Sequence, residues 1–327
     1  MRKALVTCLV TLIALAWSVA AWAGGTSFKF ATFIPPNEPG AAVGLAIEKE
    51  LNQSGAVKAK YFHSRQMGSA IEIVKKVRMG TLQAAFCPST YAPDLDPKFG
   101  IATLAYCMDS YAKWEALLKD QALRDELFLS LQSKGLRCVD FTYYGIYGLA
   151  TTKPVEKLSD LKSMKMRTTQ ARYPLAFWHA LGVNPVTMAW GDVFPALKQG
   201  VVDGLDQTRN VVRLRLTDVT KYFTETDHMV GLFFLLVNDK WWSGLDAKTR
   251  GIIAASISQN CAQARAASRK LTEEAIPALK AKGMKVITLS PEQMAKFKAS
   301  QKKVWQKFQG EIGKDWLDKI AAFTAKH

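Results

Sequence analysis

The chain has 327 residues, and at about 100 to 200 residues per domain this length predicts two lobes rather than one. Hydrophobic residues make up 49% of it, an ordinary share for a globular protein, which excludes a disordered chain or a fibre. The formal net charge of +16 comes from basic residues scattered along the sequence, so it indicates solubility and an attraction for anions rather than a nucleic-acid surface.

The one apolar stretch that approaches the length of a membrane span lies at the N-terminus, which excludes a protein with several spans. Arg2 and Lys3 precede an apolar segment at residues 4–20, and the A-W-A at residues 21–23 matches the small-x-small pattern of a signal-peptidase site. We therefore predict a cleaved secretory signal at residues 1–23 and a mature protein that works outside the cytoplasm. The alternative is a single N-terminal anchor helix, which the short apolar segment disfavours.

Four cysteines follow the predicted signal, namely Cys87, Cys107, Cys138 and Cys261. An even number in an oxidising compartment allows disulfides, but the apolar surroundings of the first three are equally compatible with buried free thiols. The sequence leaves these two interpretations open. A CxxC pair is absent from the sequence, so neither a zinc cluster nor a redox-active dithiol is indicated.

The first half of the mature chain alternates short apolar strands with amphipathic helices. Strands are predicted at 27–33, 57–62 and 82–87, with helices at 41–53 and 69–79 between them. This βαβαβ order predicts a parallel sheet with right-handed crossovers. A helix at 111–133, ended by Gly135, and a long strand at 137–143 complete this half.

A second α/β block is predicted to begin near Gly145. Its strands are expected at 164–168, 185–188 and 202–206, and its helices at 171–181 and 192–199. A further strand, apolar enough to be central in a sheet, is predicted at 233–237. Helical periodicity then continues over 247–282, which at 1.5 Å per residue gives a rod of roughly 50 Å that can run across both lobes. Pro277 is expected to kink this helix or to separate its last turns. Two short amphipathic helices, the first starting at Ser290, end the chain.

These two blocks predict an α/β protein of two lobes, joined by cross-over segments and able to close on a ligand. We expect lobe I to comprise residues 26–145 plus 232–272. Lobe II is then expected to comprise residues 146–231 plus 273–327.

A search for catalytic motifs finds little in this sequence. The chain has only four histidines, without an HxxxH or HExxH pair, and it lacks GxSxG, Walker and GxGxxG motifs. Asp203 and Asp206 are close together, but they flank a glycine, so we expect both carboxylates to order a turn. We therefore predict that the protein is not an enzyme and that it needs no cofactor and no metal.

A different signal comes from MKMRT at residues 164–168, where apolar and basic residues alternate as in a half-buried strand. The alternation places Arg167 near the C-terminal end of the strand, on the face opposite the two methionines. In open α/β sheets that end borders the ligand crevice. A guanidinium there can bind a carboxylate through two parallel hydrogen bonds. The alternative is an ordinary surface salt bridge, which this short segment alone favours.

Longer stretches around Arg167 carry a family resemblance. LKSMKMRTTQ at 161–170 and ALGVNPVTMAWGDVFPALKQGVVDGLDQT at 180–208 follow a pattern of a strand ending in arginine, a helix, ALGA-P, M-W/F-E and G-VDG-EN. This pattern resembles the solute-binding subunits of tripartite ATP-independent periplasmic (TRAP) transporters, the DctP family. Two further blocks, at 61–86 and 100–118, are similar to that family, so the resemblance covers essentially the whole mature chain.

The resemblance implies a type II-like periplasmic-binding-protein fold, with two α/β lobes joined by cross-over strands and a long spine helix. It implies a receptor in the periplasm that closes on a small organic acid, with Arg167 forming a salt bridge to the ligand carboxylate. The implied partners are the small and large integral membrane subunits of a TRAP transporter, with uptake driven by an ion gradient. We expect a monomer that binds no nucleic acid.

The sequence departs from the family pattern at positions that bear on selectivity. Tyr147 stands where many members have a second cleft arginine, and Gln207 replaces the asparagine that helps to hold the carboxylate. Ser89 lies in a segment that lacks the acid of sialic-acid-binding relatives. A second anionic group would therefore lose a charged partner, so we expect a monocarboxylate, with an apolar or aromatic tail, rather than a dicarboxylate or a sugar acid.

Aromatic residues are the candidates for contacts with such a tail, namely Phe33, Tyr144, Tyr147, Trp190 and Phe194. Each has an alternative role in the core, because nine Trp and sixteen Phe must be buried somewhere in the chain. Two other functions remain as alternatives at this point: the binding protein of an ABC importer or sensor kinase, and a periplasmic enzyme that acts on a carboxylic acid.

Overall fold

The computed structural model describes residues 25–327, so the signal sequence predicted at residues 1–23 lies outside the described residues. Within that range the chain forms ten strands and eleven α-helices. The strands are β1 (Thr26–Ala31), β2 (Val57–Phe62), β3 (Ala84–Pro88), β4 (Leu136–Thr151), β5 (Met166–Thr168), β6 (Val186–Thr187), β7 (Gly204–Thr208), β8 (Tyr222–Glu225), β9 (Val230–Asn238) and β10 (Lys285–Thr288). The helices are α1 (Val43–Gln53), α2 (Ala70–Arg78), α3 (Tyr111–Lys119), α4 (Gln121–Phe128), α5 (Arg172–Ala180), α6 (Val193–Lys198), α7 (Arg209–Val211), α8 (Asp239–Ser243), α9 (Ala247–Ala281), α10 (Pro291–Ile312) and α11 (Lys314–Thr324).

The first sheet has the strand order β2-β1-β3-β9-β4. β1 is parallel to both β2 and β3, which confirms the predicted parallel βαβαβ arrangement, and β9 runs antiparallel between β3 and β4. Every residue of β9 is buried, and its side chains alternate between two core clusters, one on each face of the sheet. A strand with apolar residues on both faces suits the middle of a covered sheet.

The second sheet shares β4 with the first. Ile146 is the last residue of β4 that pairs with β9, and from Tyr147 onward β4 pairs with β7. The order continues as β4-β7-β5-β6, while β8 and β10 lie on the other side of β4. This topology confirms the predicted fold class of two α/β lobes with cross-over strands.

Helix α9 is the predicted spine helix. It has 35 residues and is therefore about 50 Å long, at 1.5 Å per residue. The expected separation of its last turns at Pro277 is wrong, since the helix continues through to Ala281. Proline has no N–H to donate, so the carbonyl of Glu273 loses its helical partner at Pro277. Both residues lie on the exposed side of the helix, where water can solvate that carbonyl.

The single helix predicted over residues 111–133 is also wrong, because the structure breaks it at Asp120. That residue leaves the helical conformation, with ψ at 95°, and its side chain accepts a hydrogen bond from the backbone N–H of Leu123. Asp120 therefore ends α3 and caps α4. A short 3₁₀ helix follows, and Gly135 ends it in the left-handed conformation, as the sequence indicated.

The last two helices differ in length from the expected pair of short helices, since α10 has 22 residues. Ser290 caps α10 by accepting a hydrogen bond from the backbone N–H of Gln293, as predicted. The start of α10 packs in the core of the second lobe, at Phe297, while its end and α11 pack in a core cluster of the first lobe. The expected division placed all of residues 273–327 in lobe II, so these helices in fact connect both lobes.

The four cysteines within residues 25–327 are free and buried. Burial raises the pKa of Cys87 and of Cys107 to about 12, so both remain protonated thiols at neutral pH. Of the two interpretations left open by the sequence, the structure supports buried free thiols.

Candidate ligand-binding site

A cavity of about 300 Å³ lies between the two sheets, where β1, β3, β5 and β7 end and β4 crosses. Every residue predicted to bind the ligand lines this cavity: Phe33, Ser89, Tyr144, Tyr147, Arg167, Trp190, Phe194 and Gln207. The fold thus brings together side chains from segments that are far apart in the sequence. Their contact with a ligand stays a prediction.

Arg167 forms the charged part of the cavity wall, and its side chain is only 4% exposed. Its Nε and Nη2 atoms donate hydrogen bonds to the carbonyl oxygen of Met188 at 3.3 and 2.9 Å, and its guanidinium carbon lies 5.9 Å from the ring centre of Trp190. Across residues 25–327, Arg167 makes no ion pair within 4 Å and its Nη1 atom has no hydrogen-bond acceptor. One edge of a buried guanidinium therefore remains available to a ligand.

The electrostatic surroundings of Arg167 are those of a desolvated cation. Burial lowers the pKa of its guanidinium, and the negative charge of Asp206 is the largest influence in the opposite direction. A guanidinium keeps its charge even when its pKa falls, because it starts from above 12. The cavity therefore holds a permanent positive charge that water solvates poorly.

Gln207 supplies a second donor on the same face as Arg167. Arg167 stands opposite Leu205 in the β5–β7 pair, and Gln207 is two residues further along β7, where side chains return to the same face. The Oε1 atom of Gln207 accepts a hydrogen bond from the backbone N–H of Thr208 at 2.7 Å. This bond orients the amide and leaves its Nε2 donor without an acceptor in the described part of the chain.

Aromatic rings form much of the remaining wall. Tyr144 packs edge-on against Phe233 with 5.0 Å between ring centres, and Phe33 lies 6.1 Å from the same phenylalanine. Tyr147 is 9% exposed and packs edge-on against a buried histidine, while Phe194, at 40% exposure, lies at the rim. These aromatic residues line the cavity and, apart from Phe194, are also packed against the protein interior.

Ser89 connects the cavity wall to the first sheet. Its backbone N–H donates to the carbonyl of Leu232, and its Oγ accepts a hydrogen bond from the N–H of that same residue at 3.3 Å. The protein therefore uses one of the two lone pairs of the hydroxyl, and the hydroxyl hydrogen and the second lone pair remain available to a ligand.

Two acidic residues of the cavity wall were missed by sequence reasoning. Asp203 orders a turn as expected, since it accepts a hydrogen bond from the N–H of Lys165 at 2.9 Å. The same expectation for Asp206 is wrong, because this residue lies within β7 and lines the cavity, 3.8 Å from His228 Nε2. Its position directly before Gln207 in a strand that ends at the cavity was the available signal.

Glu38 is the second acid that sequence reasoning missed. It follows β1 at the sheet edge that borders the cavity, and its side chain has no exposed surface. Burial raises its pKa, although its hydrogen bonds with Tyr144 and Trp190 and the charge of Arg215 oppose that shift. Its place after the C-terminal end of a parallel strand was a usable signal.

Across the described range, residues 25–327, no group of three or more His, Cys, Asp or Glu side chains is arranged to hold a metal ion. In the same range, no helix is both long enough and apolar enough to cross a membrane.

Two α/β lobes that enclose a cavity with a buried arginine define a class of protein, the binding proteins that close around a small ligand. Residues 30–311 match the family model of bacterial extracellular solute-binding proteins, family 7 (DctP). The chain belongs to this DctP family, which includes the periplasmic solute-binding proteins of TRAP transporters.

Individual relatives agree with this assignment. A C4-dicarboxylate-binding periplasmic protein DctP of Vibrio cholerae is 24% identical over 91% of this chain and 90% of its own length. A solute-binding protein of Verminephrobacter eiseniae is 28% identical over 84% of this chain and 82% of its own length. Among solved structures, the galactonate complex of the sugar acid binding protein DctPAm from Advenella mimigardefordensis has a TM-score of 0.85 at 22% identity, covering 92% of this chain and 98% of that one. These structures share the fold with the chain.

Proposed function

We propose that the protein is a periplasmic receptor that captures a small monocarboxylate by closing its two lobes and delivers it to the membrane subunits of a TRAP transporter. The observation that carries this proposal is Arg167, a buried guanidinium with a free edge in the cavity between the lobes. A carboxylate is the small group whose geometry and charge match that edge. The Nε2 atom of Gln207 adds a donor on the same face.

The charges around the cavity favour one carboxylate over two. Three arginines line it, but Arg215 is paired with Glu38 at 3.2 Å and Arg65 is exposed at the rim. Arg167 is thus the one buried arginine of the lining that has no ion pair among the described residues. A second ligand carboxylate would find the phenol of Tyr147 and the acid Asp206 in the cavity wall, so it would lose its hydration without gaining a cation.

The shape and lining of the cavity favour an apolar or aromatic tail. At about 300 Å³, the cavity lies at the lower end of the usual range for small-molecule sites. Phe33, Tyr144 and Trp190 offer ring faces and edges on which a flat apolar group can pack. The solved relatives include structures with bound succinate and with bound galacturonate, so the family as a whole accepts varied organic acids.

Closure is the step that makes capture tight. In an open cleft the guanidinium of Arg167 is hydrated, and a carboxylate replaces that water with charge-assisted hydrogen bonds, each worth roughly 1.5–3 kcal/mol net. Closure removes the remaining water and strengthens the same bonds, because the local dielectric constant falls. The strands and the spine helix that cross between the lobes provide the hinge.

Periplasmic location and transport belong to the same proposal. The relatives include periplasmic proteins of DctP type, and the predicted signal at residues 1–23 would export this chain to the same compartment. We further propose a monomer with lobe I at residues 26–145 plus 232–272, which delivers its ligand to small and large membrane subunits. Neighbouring genes for two membrane proteins without an ATPase would support this over an ABC importer.

The deciding experiment is the substitution Arg167→Ala, measured by calorimetry with the acid that mass spectrometry finds in the purified protein. We expect binding to fall below detection, while thermal unfolding without ligand changes little. Arg269→Ala is the matched control, because it removes an arginine of the spine helix whose side chain is 43% exposed. Unchanged affinity in Arg167→Ala would contradict the proposal, and conversion of the acid into a product would favour an enzyme instead.

A further inference from the structure

Glu38 makes an unusual set of contacts for a carboxylate with no exposed surface. Its Oε2 atom accepts a hydrogen bond from the hydroxyl of Tyr144 at 2.8 Å. Its Oε1 atom accepts one from the indole N–H of Trp190 at 3.4 Å and lies 3.2 Å from Nη1 of Arg215. Both oxygens are therefore used by the protein, so Glu38 is not a free acceptor for a ligand.

These contacts join the two sides of the cleft. Glu38 follows β1 of the first sheet, and Tyr144 lies on the part of β4 that pairs with β9. Trp190 and Arg215 belong to the second side, on segments that precede α6 and follow β7. In the structure these last two donors reach the carboxylate from the second side of the cavity.

The local backbone directs Arg215 toward this contact. It lies in a π-helical turn at Val212–Leu216, where the wider helix changes the direction of the side chains relative to an α-helix. Leu216, its neighbour in the same turn, is buried in the core of the second lobe. The turn is thus anchored on one side while Arg215 extends over the cavity to Glu38.

Trp190 contacts both Glu38 and Arg167, the residue proposed to bind the ligand carboxylate. Its indole N–H bonds to Glu38, and the ring that carries this N–H lies 5.9 Å from the guanidinium carbon of Arg167. A ring over a guanidinium interacts with it through the π-system and keeps water from that face. The position of the ring is therefore determined from both sides, by Glu38 at its edge and by Arg167 over its face.

We propose that Glu38 is a positioning residue that binds Trp190 and Arg215 when the cleft closes and thereby fixes the tryptophan ring over Arg167. The inference rests on the proposed function, since it assigns to Glu38 the coupling of lobe closure to carboxylate binding. Glu38 itself does not contact the ligand in this arrangement. It completes the site only in the closed conformation, so the open cleft binds the same acid weakly.

The first test compares Glu38→Ala with the unmodified protein. Phenylacetate, pyruvate and lactate are titrated separately by calorimetry, and each probe that binds the unmodified protein should bind the variant roughly 10- to 100-fold more weakly, because Trp190 and Arg215 lose the acceptor that holds them in the closed cleft. Equal affinities would overturn the proposal. Glu273→Ala, an exposed position on the spine helix, is the control and should leave the affinity unchanged.

A second readout measures closure directly and does not depend on the identity of the ligand. Spin labels are attached through Lys49→Cys on α1 and Lys198→Cys on α6, which are exposed positions on opposite lobes, and their separation is measured by pulsed electron resonance. With and without the probes, Glu38→Ala should shift the distances to longer values. Identical distance distributions in the variant and the unmodified protein would overturn the proposal.

A double-mutant cycle separates positioning from a merely structural role. Trp190→Phe keeps an aromatic ring and removes the N–H, so it should weaken binding in the unmodified protein but have little further effect in Glu38→Ala. Additive losses would overturn the proposed route through Trp190. The two proposals can fail independently. Normal ligand binding by Arg167→Ala would overturn the proposed function. Normal binding by Glu38→Ala, together with lost binding by Arg167→Ala, would overturn only the role of Glu38.

Discussion

At the scale of single residues, the cavity wall divides into polar groups that the protein already satisfies and groups that it leaves free. Glu38 and one lone pair of Ser89 Oγ are used within the protein. Nη1 of Arg167 and Nε2 of Gln207 are donors that have no acceptor among residues 25–327. Both of these free groups are donors, so this part of the wall is complementary to an acceptor such as a carboxylate, whereas Asp206 is an acid elsewhere in the wall.

Tyr147 provides a prediction about selectivity. Tyr147→Arg places a cation where many family members have one, so affinity for succinate should rise by on the order of tenfold relative to that for a monocarboxylate. Competition calorimetry with succinate and pyruvate measures the ratio. Tyr147→Phe is the control, since it removes the hydroxyl and adds no charge. Preference of the unmodified protein for succinate or malate would contradict the monocarboxylate proposal.

Glu38 provides a prediction about pH. Burial raises the pKa of its carboxyl group above the ordinary value of 4.5, so between these two values the folded protein binds the proton more tightly than the unfolded chain does. The stability that this group contributes is therefore greatest below pH 4.5, falls as the pH rises through the raised pKa, and is constant above it.

Glu38→Gln has no titrating group at this position. Its free energy of unfolding should therefore increase relative to that of the unmodified protein as the pH rises from 4.5 through the raised pKa of Glu38. Urea unfolding of both proteins from about pH 4 to about pH 8 gives the difference at each pH. A difference that stays constant over the whole range would show that the buried carboxyl group does not titrate differently in the folded state.

At the scale of elements, the crossing strand β4 depends on one glycine. Gly145 lies at a register shift in β4, with φ at +133°, immediately before the strand changes partner from β9 to β7. A Cβ atom there would come within 2.9 Å of Nδ2 of Asn210, the amide that donates to Thr272 on the spine helix. The glycine thus permits both the crossing and the contact between the crossing strand and α9.

We predict that Gly145→Ala lowers the free energy of unfolding by at least about 2 kcal/mol, through the strained φ and the displacement of Asn210. Gly251→Ala is the matched control, since this exposed helical glycine has nothing within 4 Å of an added Cβ, and it should raise stability by about 0.5–1 kcal/mol. Urea unfolding measures both. Equal effects of the two substitutions would show that the backbone at Gly145 adapts without strain.

At the scale of the whole molecule, periodicity and composition were enough to predict the parallel start of the sheet, the spine helix and the two-lobed class. The extension of β4 beyond residue 143 could not be predicted, because a glycine within an apolar run argues against a continuous strand. The roles of Glu38 and Asp206 depend on contacts between distant segments, and local pattern does not contain that information. Strand alternation and the end of a strand are local features that made Arg167 a candidate, but the resemblance of the longer stretches around it to a known family was needed to select it over a surface salt bridge.

The interleaved sheets predict that the first lobe does not fold alone. A fragment of residues 25–145 lacks β9, which lies between β3 and β4, so the backbone N–H and C=O groups of these two strands that pair with β9 would have no partner. Circular dichroism in the aromatic region and amide hydrogen exchange should show a fragment without fixed tertiary structure. The full chain from residue 25 is the control, and a cooperatively unfolding fragment would contradict this account.

The late position of β9 in the chain also has a consequence for how the protein is made. β9 (Val230–Asn238) lies between β3 and β4 in the sheet but late in the chain, so it is synthesised only after most of the polypeptide. Until then the two strands that it joins have no partner between them, so the nascent chain lacks a completed sheet. A polypeptide that cannot finish folding early remains extended for longer, and this delay would suit the export that we propose from the predicted signal at residues 1–23.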